Sequence, residues 1–157
     1  MNISIKLLAD YPHLISTVGK IRWQEWGHPP EPDRLDSWVK VTEQEAGSEK
    51  LPVTWVAIDD HGQAVGAVGL AKFDIEERRD RTPWVIGMIV APHCRSMGIG
   101  SLLLASLEVF ASRCSYSQIW VATGGSAVDF YKKCGWKLAE VINQSTGEIA
   151  SILSKRM

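Results

Sequence analysis

The pattern of hydrophobic and polar residues divides the chain into strand-like and helix-like segments. Ile3, Ile5 and Leu7 alternate with polar residues, which predicts a first strand. Apolar residues then recur at helical spacing over residues 10–26 and again over residues 32–46. A Gly-His-Pro-Pro sequence at 27–30 separates the two segments and ends the first helix. The chain therefore opens in the order β-α-α.

The middle of the chain is rich in β-forming residues. Residues 53–58 and 65–73 both have a strand pattern, and the Asp-Asp-His-Gly sequence between them is a strong turn signal. Together they predict a β-hairpin. Residues 84–90 form a continuous apolar segment, which is typical of a strand buried on both faces. Pro92 prevents its extension because proline cannot donate a ladder hydrogen bond.

The helical period returns over residues 98–113. A short strand at 119–122, a short helix at 126–133 and two strands at 136–142 and 148–153 complete the pattern. The full order, β-α-α-β-β-β-α-β-α-β-β, predicts a mixed α/β fold. A length of 157 residues favours one domain over residues 1–157. If the strand at 148–153 is exposed, it is able to pair two subunits, so a homodimer is one hypothesis.

Composition narrows the class of protein without defining it. The chain is 45% hydrophobic and 22% charged with a net charge of -1, so it has no overall attraction to nucleic acid or anionic lipid. Its three cysteines and four histidines are scattered, which predicts neither a disulfide framework nor a metal site. The sequence contains no signal-peptide block and no apolar run of membrane-spanning length. We therefore expect a cytoplasmic protein without a membrane, nucleic-acid or metal partner.

The most informative segment follows the strand at 84–90, where a short loop leads into a helix through Gly98 and Gly100. Helix starts expose backbone N–H groups and the positive end of the helix dipole. Successive amides in a tight turn bind anions, and glycines let the backbone approach phosphate oxygens closely. These properties suit a diphosphate, and the candidate residues are Arg95, Ser96, Met97, Gly98, Ile99, Gly100 and Ser101. The alternative is a glycine-rich helix start with only a packing role.

Two nucleotide-binding motifs fit this segment poorly. A dinucleotide fingerprint needs a third glycine three positions after the second, and Leu103 occupies that position. The chain also lacks the Gly-x-x-x-x-Gly-Lys-Ser/Thr sequence of a P-loop. A Rossmann-like nucleotide-binding domain is therefore a weaker hypothesis.

A second motif, Phe-Tyr-Lys-Lys-Cys-Gly-Trp at 130–136, closes the short helix and opens the next strand. Arg-x-x-Gly-x-Gly after an apolar strand, followed by Phe-Tyr-x-x-x-Gly-aromatic, resembles the GCN5-related N-acetyltransferase (GNAT) superfamily. The resemblance covers roughly residues 55–140 in order and spacing. It implies a single domain with a mixed, mostly antiparallel central sheet flanked by helices, and acetyl-CoA as the co-substrate without a metal.

The resemblance also implies roles for individual residues. The amides of residues 95–101 would hold the pyrophosphate, and the main chain of Ile89 and Val90 would pair with the pantetheine arm where neighbouring strands splay. Arg95 would add a charge-assisted contact to phosphate. Tyr131 matches the tyrosine that protonates the departing thiolate, and a phenol with a pKa near ~10 stays neutral at physiological pH. The alternatives are a solvated Arg95 and a Tyr131 that packs beside Phe130 with its hydroxyl at the surface.

Two parts of the superfamily pattern are missing or unassigned. Many members have an asparagine seven residues before the tyrosine, where this chain has Gly124, and Thr123 and Ser126 are possible substitutes. No carboxylate lies on the strand at 84–90 to act as a general base. The remaining candidates for the base are polar residues near the predicted cleft, namely Asp74, Glu76, Glu77, Glu25 and His28.

The resemblance implies an acyl-CoA-dependent N-acyltransferase that moves acetyl from acetyl-CoA to a primary amine by direct attack, with no acyl-enzyme. The acceptor would be a small-molecule or peptide amine. The alternative from a different class is a non-catalytic acyl-CoA-binding sensor or regulatory module, because the base is unassigned and the asparagine is absent.

Overall fold

The computed structural model describes every residue from Met1 to Met157. It has seven strands and four helices in the predicted order. The strands are β1 (Ser4–Leu7), β2 (Val53–Ile58), β3 (Ala64–Ala71), β4 (Trp84–Val90), β5 (Gln118–Thr123), β6 (Lys137–Asn143) and β7 (Ile149–Arg156). The helices are α1 (Ile15–Trp26), α2 (Leu35–Gln44), α3 (Ile99–Arg113) and α4 (Ala127–Lys133).

The first two helices begin later than the hydrophobic pattern predicts. Residues Leu8–Asp10 and Pro12–Leu14 form two short 3-10 turns, so α1 starts at Ile15 instead of after Asp10. Proline favours the start of a new turn at position 12, since it cannot donate the amide that a continuing helix needs. Before α2, Arg34 is still extended with φ −95° and ψ 131°. The helical pattern thus identified both helices but not where they begin.

The strands form one seven-stranded sheet in the order β1-β2-β3-β4-β5-β7-β6. Strands β1, β2 and β3 pair antiparallel, as do β5 with β7 and β7 with β6, whereas β4 and β5 pair in parallel. The expected mixed, mostly antiparallel sheet is therefore confirmed.

The expectation of an exposed final strand at 148–153 is wrong. Strand β7 pairs with β5 from Gln118↔Arg156 to Thr123↔Ser151 and with β6 along its other side. Both of its edges are used, because the chain returns after β6 into the space between β5 and β6. The strand at this edge of the sheet is β6, so any pairing of subunits through the edge would involve β6.

The chain divides into two compact units. The first comprises Met1–Leu70 and Gly87–Leu107. Its core contains Leu8 and Val18 from the N-terminal region together with Val56, Ala67 and Ile89 from three strands, all 5% exposed or less. Helices α1 and α2 pack closely at Gly19, where an added Cβ would lie 2.8 Å from the Cα of Val39. Close helix packing therefore requires a residue without a side chain at position 19.

The second unit comprises Ala71–Ile86 and Glu108–Met157. Its core is built from Ile75, Trp84, Ile142, Ala150 and Ile152. No helix of the protein is both long enough and apolar enough to cross a membrane.

The charged segment before β4 is tied to β6 within the second unit. Arg78 forms a bidentate pair with Glu140, through Nε–Oε1 at 2.7 Å and Nη2–Oε2 at 2.9 Å. Arg81 Nη1 donates to the same Oε1 at 2.6 Å. The two guanidinium groups lower the pKa of Glu140 from 4.5 to about 2. The sequence analysis did not anticipate this partner, because Glu140 lies far along the chain.

Candidate active site

The last residues of β4, which we predict to pair with the pantetheine arm, lie outside the ladder with β5. The parallel ladder with β5 consists of Trp84↔Trp120 and Val85↔Val121 alone, so Ile89 and Val90 are not part of it. Between them and the ladder lies Gly87, whose φ of +57° interrupts the regular strand.

The loop after β4 has the backbone conformation that the predicted anion nest requires. A 3-10 turn at Pro92–Cys94 leads to Ser96 and Gly98, whose φ angles are +64° and +81°. Left-handed residues that alternate with others turn successive amides toward the same side, which creates a cavity for an anion. Helix α3 begins at Ile99, and Leu102 N donates to the Gly98 carbonyl at 3.2 Å. The amides of Ile99 and Gly100 therefore precede the first helical hydrogen bond, at the positive end of the helix dipole.

The nest is exposed to solvent, and the helix residue that follows it is buried. Ser96, Met97 and Gly98 are exposed, whereas Ile99 is 1% exposed and fixes the start of α3 in the core. An added Cβ at Gly98 would meet nothing within 4 Å. Glycine is therefore needed there for its φ angle and not for space inside the protein. An open cavity of main-chain amides fits a diphosphate.

Arg95 has two partners within the protein. Its Nε donates to the Val90 carbonyl at 3.0 Å, and its Nη2 pairs with Oε2 of Glu25 at 3.2 Å. The two side chains are 45% and 41% exposed. Arg95 is thus a surface arginine with a single ion pair, and its contact with phosphate stays a prediction. A guanidinium has five N–H donors, so these two bonds leave others for a phosphate.

Tyr131 lies in the second unit, in the last turn of α4, and is 2% exposed. Its ring packs edge to face against Phe130 and Trp136, with centroids 5.2 Å and 5.3 Å away. Burial raises the pKa of the Tyr131 phenol, and the charges of Cys134 and Asp74 raise it further. The ring packs beside Phe130, as the alternative expected, but the residue is buried, and its acid role stays a prediction. The phenol stays protonated at physiological pH.

The carboxyl end of α4 is stabilised by Gly135 and Trp136 of the second motif and by Lys155 of β7. Gly135 adopts a φ of +89°, and Trp136 N donates back to the Tyr131 carbonyl at 3.0 Å. From β7, Lys155 Nζ donates to the Cys134 carbonyl at 2.8 Å and to Oε1 of Glu108 at 2.7 Å. Glycine in the left-handed conformation after a helix and a cation at its C-terminus both stabilise the helix end.

The candidates for the general base differ in their surroundings. Glu25 is paired with Arg95, and Glu76 lies 3.5 Å from Arg79. Glu77 has one buried carboxylate oxygen without a hydrogen-bond partner. His28 is exposed, with its Nδ1 3.4 Å from the Pro29 carbonyl. None of these arrangements singles out a base.

The loop after β5 offers no strong substitute for the missing asparagine. An added Cβ at Gly124 would have the Ile149 carbonyl, at 3.9 Å, as its nearest neighbour. Thr123 ends β5 opposite Ser151, and the Ser126 side chain does not cap α4.

No group of three or more His, Cys, Asp or Glu side chains is placed to hold a metal ion.

Sequence reasoning missed Arg22, which is 2% exposed inside the first unit. Its Nη1 donates to Thr42 Oγ1 at 3.2 Å and pairs with Glu45 Oε1 at 3.0 Å, while its Nε donates to the Gly87 carbonyl at 3.3 Å. A signal was present, because Leu14, Val18 and Arg22 recur every four residues on the buried face of a helix. An arginine at such a position indicates a specific partner.

The chain belongs to the acetyltransferase (GNAT) family. The family model of that description matches residues 15–136, which is most of the chain and includes both motifs. The protein is an N-acetyltransferase by this membership. No curated protein matches the chain.

Solved structures with the same fold share little sequence with the chain. An aminoglycoside 6'-N-acetyltransferase complexed with coenzyme A is 17% identical, with a TM-score of 0.78 over 99% of this chain and 97% of the other. Aminoglycoside 6'-acetyltransferase type Ii is 21% identical, with a TM-score of 0.73 over 99% and 97%. A spermidine N-acetyltransferase chimera from Vibrio cholerae and hSSAT is 14% identical, with a TM-score of 0.71 over 99% and 96%. These likenesses concern the fold.

Proposed function

We propose that this N-acetyltransferase moves the acetyl group of acetyl-CoA to a primary amine on a small molecule or a peptide. The observation that carries the proposal is the open amide nest at Ser96–Gly98 that leads into α3, directly after β4, in a member of the GNAT family. Structures of the same fold include one with coenzyme A, and others are named for aminoglycoside and spermidine acetylation. Their names support an amine acceptor without identifying it.

In this proposal the co-substrate is bound mainly by the protein backbone. The amides of residues 95–101 bind the pyrophosphate, and the main chain of Ile89 and Val90 pairs with the pantetheine arm. Arg95 adds a charge-assisted contact to phosphate. Because Arg95 Nε bonds to the Val90 carbonyl, we expect the guanidinium to leave that carbonyl when the pantetheine arm pairs there.

The chemical step is a direct transfer. The lone pair of the neutral amine attacks the thioester carbonyl carbon, a C–N bond forms and the C–S bond breaks. Tyr131 gives its phenolic proton to the departing sulfur. The amine nitrogen releases a proton to solvent, and a proton from solvent restores the phenol. The products are an amide and free coenzyme A thiol. Because its pKa is raised, the Tyr131 phenol keeps the proton that this step requires.

We further propose that the whole chain works as one N-acetyltransferase domain, since the family model extends across segments of both compact units. None of the three cysteines forms a disulfide, which supports a reducing, cytoplasmic setting.

The test is acetyl-CoA binding by calorimetry, followed by release of thiol in the presence of an amine panel. The panel should contain a polyamine, an aminoglycoside and a peptide with a free N-terminus. We expect binding and thiol release with at least one class of amine. Binding without release across the panel would favour the acyl-CoA sensor, and no binding of coenzyme A or its acyl forms would reject both functions.

A further inference from the structure

Arg22 is a buried cation for which the fold alone gives little reason. Burying a guanidinium is costly, and apolar residues of similar volume often replace a buried ion pair without loss of stability. Leu14, just before α1, and Val18 within it are buried in the core at the same spacing, so an apolar residue would continue the pattern. Arg22 Nη2 is also buried without any hydrogen-bond partner. The residue is therefore better explained by what its other nitrogens hold.

The group that Arg22 holds is the carbonyl of Gly87, in the middle of β4. Gly87 has a φ of +57°, so its peptide groups depart from the regular strand geometry, and Arg22 Nε donates to its carbonyl at 3.3 Å. An irregular residue in a strand disrupts the ladder locally, and a carbonyl shielded from water there is stabilised by a hydrogen bond. Arg22 supplies that hydrogen bond.

The guanidinium also fills the space beside Gly87. An added Cβ there would lie 2.6 Å from Nη2, 2.8 Å from Cζ and 3.0 Å from Nε of Arg22. Position 87 is therefore restricted twice, by its left-handed backbone and by the arginine. Thr42 and Glu45 of the α2 region hold the other side of the guanidinium and so fix its plane.

One turn after Arg22, helix α1 is linked to β4 again, through Glu25 and Arg95. Glu25 pairs with Arg95, and Arg95 bonds to the Val90 carbonyl. The segment from Gly87 to Val90 is thus held at both ends by arginines, of which the first is buried and the second is exposed. Between them lies Ile89, whose main chain we assign with Val90 to the pantetheine arm.

We propose that Arg22 is a positioning residue, which fixes the left-handed turn of β4 at Gly87 and thereby sets the direction of the main-chain groups of Ile89 and Val90 that receive acyl-CoA. That acyl-CoA is the ligand at Ile89 and Val90 rests on the proposed function. It assigns Arg22 no contact with either substrate.

The test compares two variants that both lack the buried ion pair. In Glu45→Gln the Arg22 bonds to Gly87 and Thr42 remain, whereas the double variant Arg22→Met with Glu45→Gln loses both. Losing the bond to the Gly87 carbonyl should raise the KM for acetyl-CoA by roughly tenfold, with a smaller change in kcat. The KM of Glu45→Gln should stay near that of the unmodified protein.

Hydrogen exchange gives a readout that does not depend on catalysis. The amides of Ile89 and Val90 should exchange faster in the double variant than in Glu45→Gln, while amides of β2 and β7 should not differ. Equal exchange at residues 89 and 90 in the two variants, or an equal KM, would show that Arg22 is merely structural and would overturn the proposal. Faster exchange in a protein that binds no acyl-CoA would leave the positioning role intact and reject the proposed function instead.

A third variant decides the matter if the double variant does not fold. Gly87→Ala keeps Arg22 and Glu45 but places a methyl group where the guanidinium lies. We expect it to displace the guanidinium, with faster exchange at residues 89 and 90 and a raised KM. An unchanged exchange rate and KM in Gly87→Ala would contradict the proposal on its own.

Discussion

The loop after β4, in the first unit, and the helix α4, in the second, differ in what they offer for the proposed reaction. The loop is exposed and offers main-chain amides, whose direction depends on the left-handed conformations of Ser96 and Gly98. Helix α4 offers one side chain, Tyr131, which is 2% exposed and wedged between two aromatic rings. Most side chains in the loop should therefore be replaceable so long as the backbone is kept. In α4 the identity of a single side chain should decide the rate.

The largest effect should come from Tyr131→Phe. Removing the hydroxyl should lower kcat by roughly 10²–10⁴-fold and leave the KM for acetyl-CoA nearly unchanged, because the loop still binds the co-substrate. Steady-state thiol release measures both constants. Tyr116→Phe is the matched control, since Tyr116 lies outside the motif. A raised KM with an unchanged kcat would assign Tyr131 to binding and remove the contrast between the two regions.

The pH dependence of the rate tests whether Tyr131 remains protonated as the proposed acid. The pKa of the Tyr131 phenol is raised, so the protonated form persists above the ordinary tyrosine range near ~10. The rate should therefore show no loss from ionisation of this acid between about pH 8 and pH 10. A descending limb in that range that disappears in Tyr131→Phe would contradict the raised pKa.

Gly98→Ala should act on binding and not on the chemical step. A φ of +81° costs a residue with a Cβ roughly 1–2 kcal/mol, so the loop would relax and the Kd for coenzyme A should rise about tenfold. Calorimetry gives the Kd, and kcat at saturation should be retained. Gly62→Ala is the control, because Gly62 has a φ of +74° in the turn between β2 and β3 and is equally unobstructed. That variant should lose a similar amount of stability and no affinity, and equal losses of affinity would refute the nest.

Arg95→Gln should have a smaller effect, confined to low salt. Its side chain is 45% exposed, and exposed charge pairs contribute only about 0–1 kcal/mol, so the Kd for coenzyme A should rise a few-fold and less as ionic strength increases. Glu25→Gln frees the same guanidinium without removing it and should not weaken binding. If Glu25→Gln weakens binding as much as Arg95→Gln, the ion pair rather than a phosphate contact is what matters.

The smallest effect on catalysis should come from Glu140→Gln, because Glu140 belongs to neither the loop nor α4. Its effect should be on stability. The pKa of Glu140 falls from 4.5 to about 2 on folding, so its stabilising effect is present above pH 4.5 and is lost as the pH falls toward 2. The difference in Tm between the unmodified protein and Glu140→Gln should therefore shrink over this range. A difference that stays constant from pH 6 to pH 2.5 would show that the pairing with Arg78 and Arg81 does not shift this pKa.

Local patterns in the sequence predicted the elements and the loop but not their partners. The glycines at 98 and 100, the apolar strand before them and the Phe-Tyr-x-x-x-Gly-Trp sequence are all encoded within a few neighbouring residues. The insertion of β7 between β5 and β6 is not, because alternation identifies a strand without saying which strands it pairs with. The pair of Glu140 with Arg78 and the bond from Arg22 to Gly87 likewise join residues 62 and 65 positions apart. Such contacts become visible only in the folded chain.

Lys155 has a practical consequence for anyone who modifies this protein. Its ammonium closes the carboxyl end of α4 and is held by Glu108, although it lies well outside residues 15–136. Deleting the last three residues would remove this cation and let the final turn of the helix fray next to Tyr131. An affinity tag or an immobilisation linker is therefore better attached at the amino end, where β1 lies in the other compact unit.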